Sequence, residues 1–155
     1  MSGFVIRGLD PAPFAPLFAL DDEALAALDA RRVVANGGGF PCRISLEDAE
    51  PGETLILANF EHLPVASPFR SRHAVYVREG AEAPAEYRDA VPEQFRSRML
   101  SLRAFDEGGM MIDADLADGR EAEETIERML AAPGTAYLHA HFAKPGCFAA
   151  RIDRA

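Results

Sequence analysis

The stretch LSLRAFDEGGMMIDADL, residues 100–116, decides the fold because it is typical of two β-strands joined by a tight turn. Apolar residues alternate with other residues in both halves, at Leu100, Leu102 and Ala104 and then at Met110, Ile112, Ala114 and Leu116. Placing both sets on one face pairs Ala104 with Met110 and leaves a three-residue loop, 106–108. Such loops place their last residue in the left-handed region, which suits Gly108. The stretch therefore predicts an antiparallel hairpin.

A second hairpin follows from the segment LHAHFAKPGCFAARI, residues 138–152. An odd number of loop residues puts one apolar set on a single face, namely Leu138, Ala140, Phe142, Phe148, Ala150 and Ile152. The shortest such loop is 144–146, with Gly146 in the left-handed region. A five-residue loop keeps the same faces, so both lengths stay open.

The opposite faces of the two hairpins carry polar side chains that would form one patch if the hairpins lie side by side. The patch would contain Ser101, Arg103, Asp113, Asp115, Tyr137, His139, His141, Arg151 and Asp153. One interpretation is the hydrated side of an antiparallel sheet, with ordinary cross-strand pairs. The other is a site for a small polar or anionic molecule.

The binding-site interpretation assigns a chemical role to each type of side chain. Imidazoles and carboxylates exchange protons, so the candidate catalytic residues are His139, His141 and Asp113. Guanidinium and phenol groups bind anions and polar groups. The candidate ligand-binding residues are Arg43, Arg103, Asp115, Tyr137 and Arg151.

A metal-dependent enzyme is a second hypothesis, and it rests on the spacing of His139 and His141. Alternate residues of a strand point to the same side with Cα atoms about 7 Å apart, close enough for two imidazoles to chelate one ion. Asp113, Asp115 or a cysteine would complete the ligand set. The sequence leaves the identity of any other cofactor unknown.

The segment around Cys42 leaves further alternatives open. A neighbouring arginine favours a reactive thiolate, whereas a buried inert thiol is the ordinary role of such a cysteine. Arg43 itself would bind an anion or pair with the acids at positions 47, 48 and 50. His62 and His73 would act as bases for a serine or have structural and surface roles.

Strand patterns outnumber helix patterns in the rest of the chain. Strands are predicted over 4–7, 31–35, 54–60 and 73–78. Asp21 suits the N-cap of one helix, Pro92 the first turn of another, and Asp118 the N-cap of a third. The third helix carries an inward stripe at Ala122, Ile126, Met129 and Leu130. We expect an α+β fold in one domain over residues 1–155, with a largely antiparallel sheet and two or three short helices.

Composition limits the classes of partner. The chain has 155 residues and a net charge of −9, which disfavours nucleic acid and anionic membrane surfaces. A basic leader and an apolar run of membrane-spanning length are both absent from the sequence, and the two distant cysteines are expected to be free thiols. We therefore expect a cytoplasmic location. Non-catalytic self-association, as a homodimer, is a third functional hypothesis.

Three segments together resemble a bacterial family of unknown function, the domain-of-unknown-function family 1203. They are PCRISLEDAEPGE at 41–53, NFEH at 59–62, and HAHFAKPGCFAARIDR at 139–154. The resemblance spans most of the chain, and the C-terminal segment is its most distinctive part. It implies a small bacterial protein of one domain and assigns no catalytic residue.

Overall fold

The computed structural model describes residues 3–155, which form nine strands, three α-helices and two short 3₁₀ turns. The strands are β1 (Phe4–Arg7), β2 (Ala30–Val34), β3 (Thr54–Leu63), β4 (Ser71–Arg78), β5 (Glu86–Arg88), β6 (Met99–Phe105), β7 (Met111–Asp118), β8 (Tyr137–Phe142) and β9 (Phe148–Arg154). The helices are α1 (Asp22–Ala27), α2 (Glu93–Arg96) and α3 (Ala122–Ala131), and the 3₁₀ turns are Ala15–Ala19 and Gly119–Glu121.

The strands form two antiparallel sheets. Six strands lie in the order β5-β1-β9-β8-β6-β7, and three lie in the order β2-β3-β4. The expected α+β class with mostly antiparallel strands is confirmed, although the strands divide between two sheets. None of the helices within residues 3–155 combines the length and the apolar composition that crossing a bilayer requires.

The helix signals in the sequence act largely as predicted. Asp21 caps α1, because its carboxylate accepts a hydrogen bond of 2.8 Å from the Ala24 amide. Asp118 caps the 3₁₀ turn that leads into α3, where it accepts from the Arg120 amide. The predicted inward stripe of α3 is buried at all four positions. This stripe packs on one side of the six-stranded sheet, which we call the helix face.

The predicted register of the β6–β7 hairpin is wrong. Ala104 pairs with Asp113 instead of Met110, and a bulge follows Ala104. The Asp106 carboxylate accepts hydrogen bonds of 2.9 Å from the amides of Gly108 and Met110, so the turn takes up additional residues. The left-handed residue is Gly109, at φ +79°, and not Gly108. A side chain at Gly109 would also lie 2.5 Å from Val65.

This register moves two predicted site residues to the wrong face. Residues directly opposite in an antiparallel pair share a face, and Asp113 and Asp115 lie opposite Ala104 and Leu102 on the helix face. Both aspartates are exposed, and Asp115 bonds Arg128 of α3 at 2.5 Å. The apolar residues of β7 that were predicted to face the core are also misplaced, because Ile112 and Leu116 are exposed at the sheet edge. The expected placement of Asp113 and Asp115 beside the histidines is therefore wrong.

The β8–β9 hairpin keeps most of its predicted register. Leu138 pairs with Ile152 and Ala140 with Ala150, as expected, and Gly146 adopts φ +82°. A bulge after Ala140 places Phe148 opposite His141, so Phe148 leaves the predicted apolar face. Phe148 instead packs into a core with the three-stranded sheet, including Val75. The three-stranded sheet therefore lies against the side of β8 that carries the histidines, which we call the histidine face.

Candidate functional site

All four histidines of the chain meet between the two sheets. His139 and His141 extend from β8, in the middle of the six-stranded sheet. His62 lies near the end of β3, which extends three residues beyond the predicted 54–60, and His73 lies on β4. A bulge between Phe60 and Leu63 interrupts the β3–β4 pairing near His62.

The imidazole rings are packed closely. The ring centroid of His62 lies 5.5 Å from that of His139 and 5.2 Å from that of His141. His139 and His141 are 6.4 Å apart by the same measure. His62 Nε2 and His73 Nδ1 are 2.6 Å apart and share a hydrogen bond.

Three of these histidines have the geometry of a metal-binding group, and we call them the three-histidine site: His62, His139 and His141. Each offers one ring nitrogen, and the three nitrogens lie within 4.8 Å of one another. Imidazole nitrogens on a tetrahedral zinc ion are about 3.4 Å apart, because each Zn–N bond is about 2.0–2.1 Å. Closing the cluster by an ångström or so would bring all three nitrogens onto one ion.

The same residues carry unpartnered nitrogens. Six buried side-chain nitrogen or oxygen atoms within residues 3–155 have no hydrogen-bond partner, and half of them belong to the three-histidine site: His62 Nδ1, His139 Nδ1 and His141 Nε2. Leaving a buried polar group without a partner costs about 1–3 kcal/mol. The three nitrogens are therefore available to accept a hydrogen bond or to bind a metal ion.

A hydrogen bond to the second ring nitrogen fixes the free lone pair of His141. His141 Nδ1 lies 3.0 Å from the Gly146 carbonyl oxygen, which can only accept, so Nδ1 carries the proton and Nε2 has the lone pair. His62 Nε2 shares a hydrogen bond with His73 Nδ1. In the tautomer in which His62 Nε2 donates this bond, His62 Nδ1 carries a free lone pair. Histidines that bind metals are typically oriented in this way through their second nitrogen.

Burial keeps the site uncharged. Removal from water lowers the pKa of His62 to about 4, that of His139 to about 2 and that of His141 to about 3. Neighbouring imidazoles and guanidinium groups, Arg103 among them, lower these pKa values further. The three imidazoles are therefore neutral at pH 7, the form that binds a metal ion.

Apolar rings enclose the site on several sides. Phe148 stacks on His62 with centroids 4.8 Å apart and meets the edge of His139 at 4.9 Å. Phe105 lies 5.3 Å from His139. These ring contacts restrict the positions that the imidazoles of His62 and His139 can take.

The structure places the other predicted residues of β6, β8 and β9 on the histidine face. Arg103 and Ser101 lie directly opposite His139 and His141. Arg151 also pairs with His139, but its guanidinium bonds Asp153 and lies 4.0 Å from the centre of the Tyr137 ring. The prediction that Arg103 and Arg151 share a face with the two histidines of β8 is therefore correct.

Arg43 does not lie on this face, and the predicted pairing with nearby acids is wrong. Its side chain is buried, and it donates to the carbonyl oxygens of Pro41 and Phe148 and to the sulfur of Cys147 at 3.0 Å. The guanidinium thereby ties the loop before β9 to the stretch around Cys42. Both cysteines are free, and Cys42 is buried as expected of an inert thiol.

Sequence reasoning named His62 and His73 as candidate bases or structural residues, but it did not place them beside His139 and His141. The run of apolar residues in β3 ends at Phe60, so the predicted strand stopped before His62. One signal was present in the sequence: the four histidines all lie in or next to strand patterns. The contact between β3 and β8 joins segments about 80 residues apart, which no local pattern encodes.

Comparison with known proteins gives one match. The sequence model of a family described as Protein of unknown function (DUF1203) matches residues 39–154, a range that includes all four histidines. No curated protein and no solved structure matches the chain. Since the match covers well over half of its length, the chain belongs to the DUF1203 family.

Proposed function

We propose that this protein binds a divalent transition-metal ion through His62, His139 and His141, and that the ion serves a metal-dependent reaction. The observation that carries this proposal is the set of three buried ring nitrogens without hydrogen-bond partners. Imidazole ligands favour zinc, copper, nickel and iron over magnesium or calcium, which prefer oxygen. Zinc is the ion that we expect, because neutral imidazoles in a four-coordinate arrangement suit it.

The number of ligands favours a catalytic role for the ion over a purely structural one. Structural zinc sites use four protein ligands, whereas catalytic sites use three and leave the fourth position to water or substrate. An ion held in this way lowers the pKa of its bound water and creates a nucleophile near neutral pH. Hydrolysis or hydration is the reaction class that follows from three such ligands.

Cobalt titration tests the proposal directly. Protein without a histidine tag is stripped with a chelator and titrated with Co²⁺, and d–d absorption reports tetrahedral binding. We expect one Co²⁺ per chain, displaced by Zn²⁺, and no absorption for the double variant His139→Gln/His141→Gln. The matched control is Asp113→Asn/Asp115→Asn, which changes two exposed residues of β7 and should bind as the wild type does.

Circular dichroism and thermal unfolding establish that each variant is folded. A folded wild-type protein that binds no Co²⁺ would overturn the proposal. Equal binding by the histidine double variant would overturn it as well, because the ion would then lie elsewhere.

A further inference from the structure

Arg103 has a special position on the histidine face. It lies opposite His139 in the β6–β8 pairing, and its positive charge lowers the pKa of all four histidines. The side chain is half-buried, and burial lowers its own pKa as well. A guanidinium in this position faces the three-histidine site without belonging to the ligand set.

The guanidinium of Arg103 is largely free of protein partners. Its Nε donates to Ser101 Oγ at 3.2 Å, but within residues 3–155 its two terminal nitrogens donate to no protein acceptor, and it forms no ion pair. The other guanidinium groups near the site are engaged, since Arg151 bonds Asp153 and Arg43 bonds two carbonyl oxygens.

Within residues 3–155, no carboxylate forms an ion pair with Arg103. Glu61, next to His62, is paired with Arg70 at 2.7 Å, and Asp153 is paired with Arg151. Unlike Arg43, which also lacks an acid partner, Arg103 has no carbonyl oxygens bonded to its terminal nitrogens within residues 3–155. The terminal nitrogens of a guanidinium form a planar fork that matches two oxygens of a carboxylate or a phosphate.

We propose that Arg103 binds the oxyanion group of the substrate beside the three-histidine site. The substrate is therefore an anion, a carboxylate or a phosphate ester, held by the guanidinium fork while its reacting group faces the metal. This inference rests on the proposed metal site and specifies the class of substrate. Arg103 is a residue that binds and orients the substrate, and Ser101 holds the arginine through its Nε.

The test uses the Co²⁺-loaded protein and two simple anions, acetate and inorganic phosphate. Binding of either anion next to the metal should change the d–d absorption, and the anion that binds more tightly identifies the class of oxyanion. Loss of hydrogen bonds to a charged group weakens binding roughly 10- to 100-fold. We expect Arg103→Gln to raise the dissociation constant of that anion by this factor while Co²⁺ stoichiometry stays at one.

Two further variants separate the contribution of the fork from that of charge and folding. Arg103→Lys keeps the charge without the planar fork and should give an intermediate dissociation constant. Arg72→Gln is the control, because Arg72 is exposed on β4 and bonds Asn59, and it should match the wild type. Retention of anion binding in Arg103→Gln overturns the inference, as does an absorption spectrum that neither anion changes; both results leave the metal site intact. Failure of the wild type to bind Co²⁺ overturns the metal site and this inference together.

Discussion

Strands β7 and β8 flank the same strand, β6, and carry matching patterns: Asp113-Ala-Asp115 on one side and His139-Ala-His141 on the other. The aspartates are exposed, and each carboxylate accepts a hydrogen bond from the backbone amide of the next residue. The histidines are buried beneath the three-stranded sheet and keep nitrogens without partners. Identical spacing thus gives hydrogen-bonded surface residues in one strand and a buried candidate site in the other, because the surrounding layers differ.

The largest expected difference between the two patterns is in metal affinity. Removing one imidazole by His141→Ala should weaken zinc binding roughly 1000-fold or more, beyond the 10- to 100-fold effect of outer-shell partners. Asp115→Ala should change it less than about twofold, because Asp115 lies on the helix face. Competition with a chromophoric chelator measures both. Equal losses in the two variants would remove the distinction between the strands.

Acid should destabilise the metal-free protein through the histidine pattern. Unfolded imidazoles take up protons near pH 6.5, whereas folded His62 resists protonation until about pH 4 and His139 and His141 to still lower pH. The unfolded chain therefore binds more protons below pH 6.5, so this part of the stability is complete above pH 6.5 and is lost as the pH falls. We expect the free energy of unfolding to drop by about 3 kcal/mol or more between pH 7 and pH 5.

Denaturant unfolding at several pH values measures that slope. His62→Phe should show a shallower slope over the same range, because one neutral buried imidazole is gone. A stability that does not change between pH 7 and pH 5 would show that the imidazoles are not held neutral.

Zinc should stabilise the folded chain through the same residues. An ion that binds only the folded state adds about 2.7 kcal/mol at a free concentration 100 times its dissociation constant. For a chain of this length the midpoint of thermal unfolding should rise by roughly 5–10 °C. Asp113→Asn/Asp115→Asn should keep this rise, and His139→Gln/His141→Gln should lose it. A rise of the same size in both double variants would place the ion outside the histidine pattern.

A smaller effect is expected from His73, which contacts the site through another residue. His73→Phe keeps the ring volume but removes the hydrogen bond of 2.6 Å to His62 Nε2. Outer-shell partners of this kind contribute roughly 10- to 100-fold to metal affinity. We expect a Co²⁺ titration of His73→Phe to show an affinity that is lower by this factor, with one ion per chain still bound. An unchanged affinity would mean that the bond to His73 does not orient His62.

The smallest expected effect belongs to the aspartate pattern. Asp115→Asn breaks the contact with Arg128, in which both side chains are about half exposed. Exposed ion pairs contribute less than about 1 kcal/mol, and salt screens them. Denaturant unfolding should show a loss within that limit that disappears at high salt. A larger loss would indicate that the helix face depends on this pair.

Local patterns in the sequence predicted the elements on which half of the site depends. Alternation along β8 identified His139 and His141 on one face, and the register argument correctly placed Arg103 beside them. The same argument failed at β7, because the turn moved the partner of Phe105 by two positions to Met111 and the bulge after Ala104 added one more, which exchanged the faces. The bulge after Ala140 moved Phe148 in the same way.

His62 could not be placed from the sequence for a different reason. Its contact with β8 depends on how the two sheets pack, and apolar contacts such as that between Phe148 and Val75 set that packing. Hydrophobic packing is not directional, so the contacts that join sheets leave no periodic trace in the chain. The residue that completes the three-histidine site is therefore the one that only the three-dimensional structure shows.

Anomalous diffraction at the zinc absorption edge, on crystals grown with one equivalent of Zn²⁺, tests the central claim most directly. The account predicts a single strong peak about 2.0–2.1 Å from one nitrogen each of His62, His139 and His141. A peak at Asp113 or Asp115 on β7, or an empty three-histidine site in the presence of bound zinc, would contradict it.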